Sequence, residues 1–157
     1  KDRQEWESAL EFYDRAIAVY RKYDDPYSLS AALIDKAKVC LELGEVEEAA
    51  LLTEEGLQLA EAVQRKEYIF RGHIQMARNA YALGEQEEAR QKLQKMFDCA
   101  TKPAEEALLH NALWQIGAGE THRQAAIDLY RELGEKTPDI IYRNRLAALI
   151  ETTDHTK

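Results

Sequence analysis

The sequence predicts an all-α fold assembled from antiparallel helix pairs, and three observations carry that expectation. The apolar residues are mostly Ala and Leu and the charged ones mostly Glu, Lys and Arg, all strong helix formers. Seven Gly and three Pro in 157 residues leave little material for a turn-rich β fold. The third observation is an internal repeat. Ala37-Lys38-Val39-Cys40-Leu41-Glu42-Leu43-Gly44-Glu45 is echoed by Ala77-Arg78-Asn79-Ala80-Tyr81-Ala82-Leu83-Gly84-Glu85 at an offset of 40 residues. Both stretches read as a helix closing on Leu-Gly, then an acidic turn, then a second helix carrying Ala49 or Ala89. Gly44 and Gly84 suit the left-handed position that ends a helix, where a Cβ clashes.

Taken in order, the chain opens on a helix of the second type. Subtracting 40 from Ala49, Thr53 and Gly56 lands on Ala9, Tyr13 and Ala16, so 3–23 is expected to be a second helix without its first. Its stripe of Ala9, Tyr13, Ala16, Tyr20 and Tyr23 steps by four and three, the spacing of one helix face. Asp25-Pro26 then caps and opens the next helix. Pairs follow at 27–43 with 45–65 and at 67–83 with 85–100. A looser third unit runs from 104–117 to 120–135. Matching Ala112 to Ala77 sets Gly119 opposite Gly84 and leaves Ala126 two residues late against Ala89, which reads as a two-residue insertion in the turn. Asp139 caps a last helix, 139–151, with Ile141, Leu146, Leu149 and Ile150 apolar. This is one domain over 1–157: an unpaired helix, repeats 27–65 and 67–100, an irregular repeat 104–135 and a terminal helix. The start at Lys1 rather than Met reads as a segment of a longer protein.

The small residues have a physical role, because helices packed 8–10 Å apart need Ala or Gly where their backbones cross. Ala9-Tyr13-Ala16 and Ala126-Tyr130-Leu133-Pro138 carry a small residue, a large one and a small or apolar one at fixed steps, the latter with a Pro exit. Ala37 and Ala77 supply the small residue of the first helix, with Cys40 and Ala80 three positions on. This pattern resembles the tetratricopeptide repeat, whose members prefer Tyr where Cys40 and Ala80 stand. The usual period of that family is about 34 residues, so the resemblance is to its long variants, found in bacterial regulators and animal scaffold proteins. The Pro exit is missing from the first two junctions. The resemblance implies a right-handed superhelical array of antiparallel helix pairs, an α-solenoid, whose first helices line a concave face.

Composition excludes several functions. A net charge of −8 argues against phosphate backbones as ligands, and so against nucleic acid and anionic membrane surfaces. No apolar run reaches the length of a membrane span, and no signal-peptide pattern opens the chain. Cys40 and Cys99 read as small hydrophobes rather than a bridge, which fits a reducing cytoplasm. His73, His110, His122 and His155 lack His-x-x-x-His or Cys-x-x-Cys spacing, so neither metal nor cofactor is expected. There is no phosphate loop and no nucleophile elbow, and the acids at 45–48 and 85–88 look like first-turn residues favouring the helix dipole. The sequence points away from an enzyme.

The groove that the resemblance implies takes Ile34, Lys38 and Leu41 from one unit and Arg71, Ile74, Gln75, Arg78 and Tyr81 from the next. Leu109, His110 and Leu113 follow, then Tyr142 and Arg145. Two readings of its cations stand open. Lys38, Arg71 and Arg78 form a basic spine for an acidic or carboxylate-bearing peptide, with Ile74 and Tyr81 gripping apolar side chains, or they are surface cations paired with Glu42 or Asp35. The family's chaperone-binding members clamp a terminal carboxylate with Lys and Asn. Lys38 and Arg78 match that clamp in charge only, and Ile34 and Ile74 fall where it needs polar residues. The expected function is a protein-interaction module that binds a peptide or partner helix within a larger regulator or scaffold. The alternative is a ligand- or peptide-sensing domain that controls an attached output domain. Trp6, Leu10 and Tyr13 are expected to face the absent first helix, and an exposed terminal helix at either end allows a homodimer.

Overall fold

A computed structural model describes residues 2–137 and 139–151. Pro138, the expected exit residue, and His155 lie outside the described residues. The helices are α1 (Arg3–Lys22), α2 (Pro26–Glu42), α3 (Val46–Ala62), α4 (Lys66–Ala82), α5 (Gln86–Met96), α6 (Pro103–Gln115), α7 (Glu120–Lys136) and α8 (Ile140–Glu151). No strand occurs among the described residues. The order is the expected one, except that α5 stops at Met96 and tightens into a 3₁₀ turn over Phe97–Cys99.

Local chemistry explains the helix ends. Asp25 accepts a hydrogen bond from the Ser28 amide at 3.0 Å with Pro26 in the first turn, and Asp139 accepts from the Ile141 amide at 2.8 Å. Gly44 (φ +84°) and Gly84 (φ +93°) close α2 and α4, and the next amides, of Glu45 and Glu85, reach back to the Cys40 and Ala80 carbonyls at 2.9 Å. In the third unit the same closure falls on Gly117 (φ +76°), with the Ala118 amide on the Leu113 carbonyl at 2.9 Å. Gly119 (φ +121°) is instead the N-cap of α7. This corrects the register set by matching Gly119 to Gly84. Counted from the closing glycine, Ala126 falls four residues later than Ala89 rather than two, one of them in the turn, where Ala118 and Gly119 stand against Glu85 alone, and three inside α7. The larger irregularity is α6 itself, 13 residues against 17 in α2 and α4.

The turns into α2 and α4 close without glycine. Asp24 (φ +50°) and Gln64 (φ +54°) occupy the left-handed region, again 40 residues apart. A Cβ there costs about 1–2 kcal/mol, and Gln lacks the short local hydrogen bonds that make Asp tolerable. Gln64→Gly is therefore expected to raise stability by about 1 kcal/mol; an unchanged or lower denaturation midpoint refutes it.

The chain divides into two compact units between Glu85 and Gln86, inside the stretch 67–100 that the sequence reads as one repeat. In the first unit α2 packs most extensively on α3 and also on α1 and α4, while α4 lies against both α3 and α2. Leu33, Ala37, Cys40 and Ala49 are fully buried there. Close approach is set by glycine. A Cβ on Gly56 would sit 2.7 Å from Ile34 Cγ1 and 3.1 Å from the Ser30 carbonyl oxygen, and one on Gly72 would meet Ile34 Cδ1 at 3.2 Å. A buried polar chain completes the unit. Gln75 donates to Asn79 Oδ1 at 2.9 Å, Asn79 donates to Thr53 Oγ1 at 3.0 Å, and Thr53 donates to the Ala49 carbonyl at 2.7 Å. Each donor has an acceptor, so this burial carries no desolvation penalty left open.

In the second unit α7 packs on α6 and α8 around fully buried Tyr130, with Ala107, Ala126, Ile127 and Leu149. Buried Arg123 ties α8 down by donating to the Leu149 carbonyl from Nε at 2.9 Å and Nη2 at 2.6 Å.

Candidate interaction surfaces

On the first unit, α2 and α4 are cross-tied by polar contacts at their outer edges. The Tyr68 hydroxyl donates to Asp35 Oδ2 at 2.9 Å, and Arg78 Nη2 bonds Glu42 Oε1 at 3.0 Å. The Arg78 side chain is only 12% exposed, and burial lowers its pKa against the pull of Glu42. Its charge is spent on that tie. Arg71 differs. Its Nη2 lies 3.0 Å from Glu67, its guanidinium lies 5.3 Å from the Tyr68 ring, and its Nε is enclosed without an acceptor. Lys38 is exposed, and Leu41 and Tyr81 are half-buried.

The remaining groove positions of this unit belong to the core. Ile34 is 3% exposed and fills the hollow at Gly56 and Gly72, while Ile74 and Gln75 are 9% and 4% exposed. None of the three faces a ligand, which corrects the expectation that Ile74 grips an apolar side chain. Of the two readings of the cations, pairing with Glu42 describes Arg78. Arg71 pairs with Glu67 rather than Asp35. Sequence reading passed over Asp35 as a surface residue in its own right, although it shares a stripe with Lys38 and Glu42 at helical spacing. Its carboxyl is half-buried, and burial pushes its pKa up against the opposing Tyr68 hydrogen bond and the charges of Arg71, Lys38 and Arg65.

A second feature of this unit is a cleft of about 340 Å³ between α1 and α2, walled by Phe12, Tyr13, Ala16, Tyr20, Tyr27 and Asp35 among others. At its rim the Arg65 guanidinium lies 4.1 Å from the Tyr27 ring and 4.4 Å from the Tyr68 ring, and donates to the Tyr27 carbonyl at 2.8 Å. Leu10 packs on the Ala37, Cys40 and Ala49 cluster and Tyr13 on the Ile17, Leu29 and Leu33 cluster. Leu10 is therefore taken up inside the unit rather than facing an absent helix, whereas Tyr13, besides that packing, lines the open cleft. The large apolar residues that α1 exposes are Phe12, Val19 and, at its end, Tyr23.

On the second unit, Leu109 and Leu113 are fully buried and likewise leave the set of ligand-facing positions. Tyr142 stacks on Tyr130 with centroids 6.4 Å apart, and Arg145 lies 6.0 Å from the same ring. His110 of α6 lies tilted against Phe97 with ring centroids 4.8 Å apart, and its Nδ1 lies 2.9 Å from Nδ1 of His122 on α7. One imidazole must donate and the other accept, so the contact needs a neutral ring. No spacing rule pairs these two histidines, since the α6–α7 turn brings them together. Burial lowers the His110 pKa, His122 adds to that and Glu106 opposes it. A folded-state pKa below the usual value of about 6.5 means that this group's contribution is complete above that pH and is lost as pH falls through it. Stability is expected to fall as the pH drops below about 6.5, and His110→Gln is expected to flatten part of that fall. Parallel pH profiles for the two proteins refute the assignment.

Chemistry elsewhere is sparse. Burial pushes the Cys40 thiol up to about 11, so it stays protonated and inert. His73 is exposed, with Nε2 3.9 Å from Glu61. No group of three or more His, Cys, Asp or Glu that would hold a metal ion occurs among the described residues, and no helix among them is long and apolar enough to cross a membrane.

Fold and surfaces define a class: an all-helical protein whose first unit sets consecutive helices side by side and displays charged and aromatic side chains along their edges. Compared with known proteins, the chain matches no family model, no curated protein and no solved structure.

Proposed function

We propose that the chain is a protein-interaction module of tetratricopeptide-like, superhelical type, and that the α2/α4 face of its first unit receives an extended peptide. The observation that carries this reading is the Arg71 Nε–H, enclosed without an acceptor on a face where Lys38 is exposed and Tyr81 half-exposed. A buried donor left unpaired costs about 1–3 kcal/mol, so a turn of the partly exposed Arg71 side chain onto a peptide carbonyl or carboxylate recovers that cost. Lys38 adds positive potential beside it, and the Tyr81 ring offers apolar area with a polar tip. The ties at Asp35–Tyr68 and Glu42–Arg78 keep the two helices at fixed spacing, so little ordering cost accompanies binding.

Selection from a random peptide library on the intact chain tests this. Enriched peptides are expected to carry an acidic or C-terminal carboxylate group and to bind Arg71→Glu or Lys38→Glu more than tenfold more weakly, about 1.4 kcal/mol or more. Arg78 is left intact in these variants because its removal would break the tie to Glu42. Failure to enrich any sequence, or binders indifferent to both changes, contradicts the proposal.

A further inference from the structure

The α1/α2 cleft has a filled counterpart in the same unit. Shifted by 40 residues, Tyr13, Ala16, Tyr20 and Ala32 correspond to Thr53, Gly56, Ala60 and Gly72, and the space between those residues is occupied by α2 itself. There, Ser30, Leu33 and Ile34 press on Gly56, and Ile34 together with Leu57 of α3 presses on Gly72. Thr53 and Ala60 are consequently buried, whereas Tyr13, Ala16 and Tyr20 are only half-buried. The cleft therefore continues the α2–α3–α4 interface one repeat back, and it has the form of a seat for a first-type helix. Among the described residues none fills it.

The other end of the chain carries a helix of that type. α8 follows α7 behind an Asp cap, as α2 follows α1 behind Asp25. Both surfaces carry exposed large apolar residues, Phe12 and Tyr27 on the cleft and Ile140, Ile141 and Ile150 on α8. Aligning the two caps puts Asn144, Ala147 and Ala148 at the positions of Ser30, Leu33 and Ile34. All three are exposed. The steric match is reciprocal, because the cleft has Ala16 and Ala32 where the filled seat has glycines, and α8 has alanines where α2 has Leu and Ile. The cleft wall carries one charge of each sign, Asp35 and Arg65, and α8 likewise exposes Arg143 and Glu151.

We propose that the α1/α2 cleft of one copy receives α8 of a second copy, so that the chain associates head to tail. The contact is heterologous, joining two different surfaces, and it propagates along a row of molecules unless the rotation closes a ring.

Sedimentation velocity on the intact chain across a wide concentration range, with two charge insertions, tests this. The wild type is expected to show mass rising with concentration. Ala16→Glu blocks the cleft but leaves α8, and Ala147→Glu blocks α8 but leaves the cleft. Each alone is expected to be a monomer with unchanged helical circular dichroism, and their mixture is expected to form a heterodimer that goes no further. Rescue on mixing shows that both variants fold. A wild type that stays monomeric overturns the proposal, as does a mixture of two monomeric variants that fails to pair. Association that survives Ala16→Glu assigns the contact to α8 with α8, and association that survives Ala147→Glu assigns it to cleft with cleft; either overturns the head-to-tail arrangement.

Discussion

Gly56→Val is expected to destabilise the first unit by about 3 kcal/mol, at the upper end of overpacking costs in close-packed cores. The distances decide the sign. A Cβ at this position lies 2.7 Å from Ile34 Cγ1 and 3.1 Å from both Leu33 Cβ and the Ser30 carbonyl oxygen. Ile34 is itself enclosed at 3% exposure and also contacts the space at Gly72, so it has nowhere to retreat. In an exposed mid-helix position, replacing glycine would gain up to about 1 kcal/mol of helix propensity, and here that gain is outweighed. Amide hydrogen exchange is the direct check. Protection is expected to fall over α2 and α3, and a variant as well protected as the wild type contradicts the close approach of these helices.

Tyr130→Ala is expected to cost about 3–5 kcal/mol, the range for emptying a buried aromatic site. Tyr130 is 1% exposed, packs among Ala107, Ala126, Ile127 and Leu149, and stacks on Tyr142. Its alanine neighbours are too short to close the cavity. α6, α7 and α8 all contribute to this cluster or pack against it, so exchange protection is expected to fall in all three. Loss confined to α8 would mean that Arg123 and Leu149, rather than Tyr130, hold the second unit together.

The features that were legible in the sequence are those set by neighbouring residues. Helix order, the Asp25 and Asp139 caps and the glycine closures at Gly44 and Gly84 depend on local chemistry, which the 40-residue offset exposes twice. The third unit misled because Ala112 matches Ala77 by type. The closure depends on a positive φ, which Gly117 and Gly119 offer equally well in a sequence. Surface positions were less legible for a geometric reason. α2 packs against three other helices and α4 against two, so a 3.6-residue period marks more than one buried face, and Ile34, Ile74 and Gln75 fall on these faces. Gln75 looked like a ligand contact because its partner Asn79 lies on its own helix and Asn79's partner, Thr53, lies on α3. Polar residues that satisfy one another across helices leave no periodic trace. The His110–His122 contact is of the same kind. Asp24 and Gln64 were readable in principle, since they share the 40-residue offset.

Whether the α2/α4 face of the first unit holds a peptide against Arg71 is read by photocrosslinking with a library-selected peptide that itself carries the photoreactive residue, which leaves Lys38 in place. Adducts are expected on α2 around exposed Lys38 and to be lost on Arg71→Glu, with none on α3 around exposed Glu54. Equal adducts on the two helices, or adducts near Lys38 that persist in the Arg71→Glu protein, overturn the proposal.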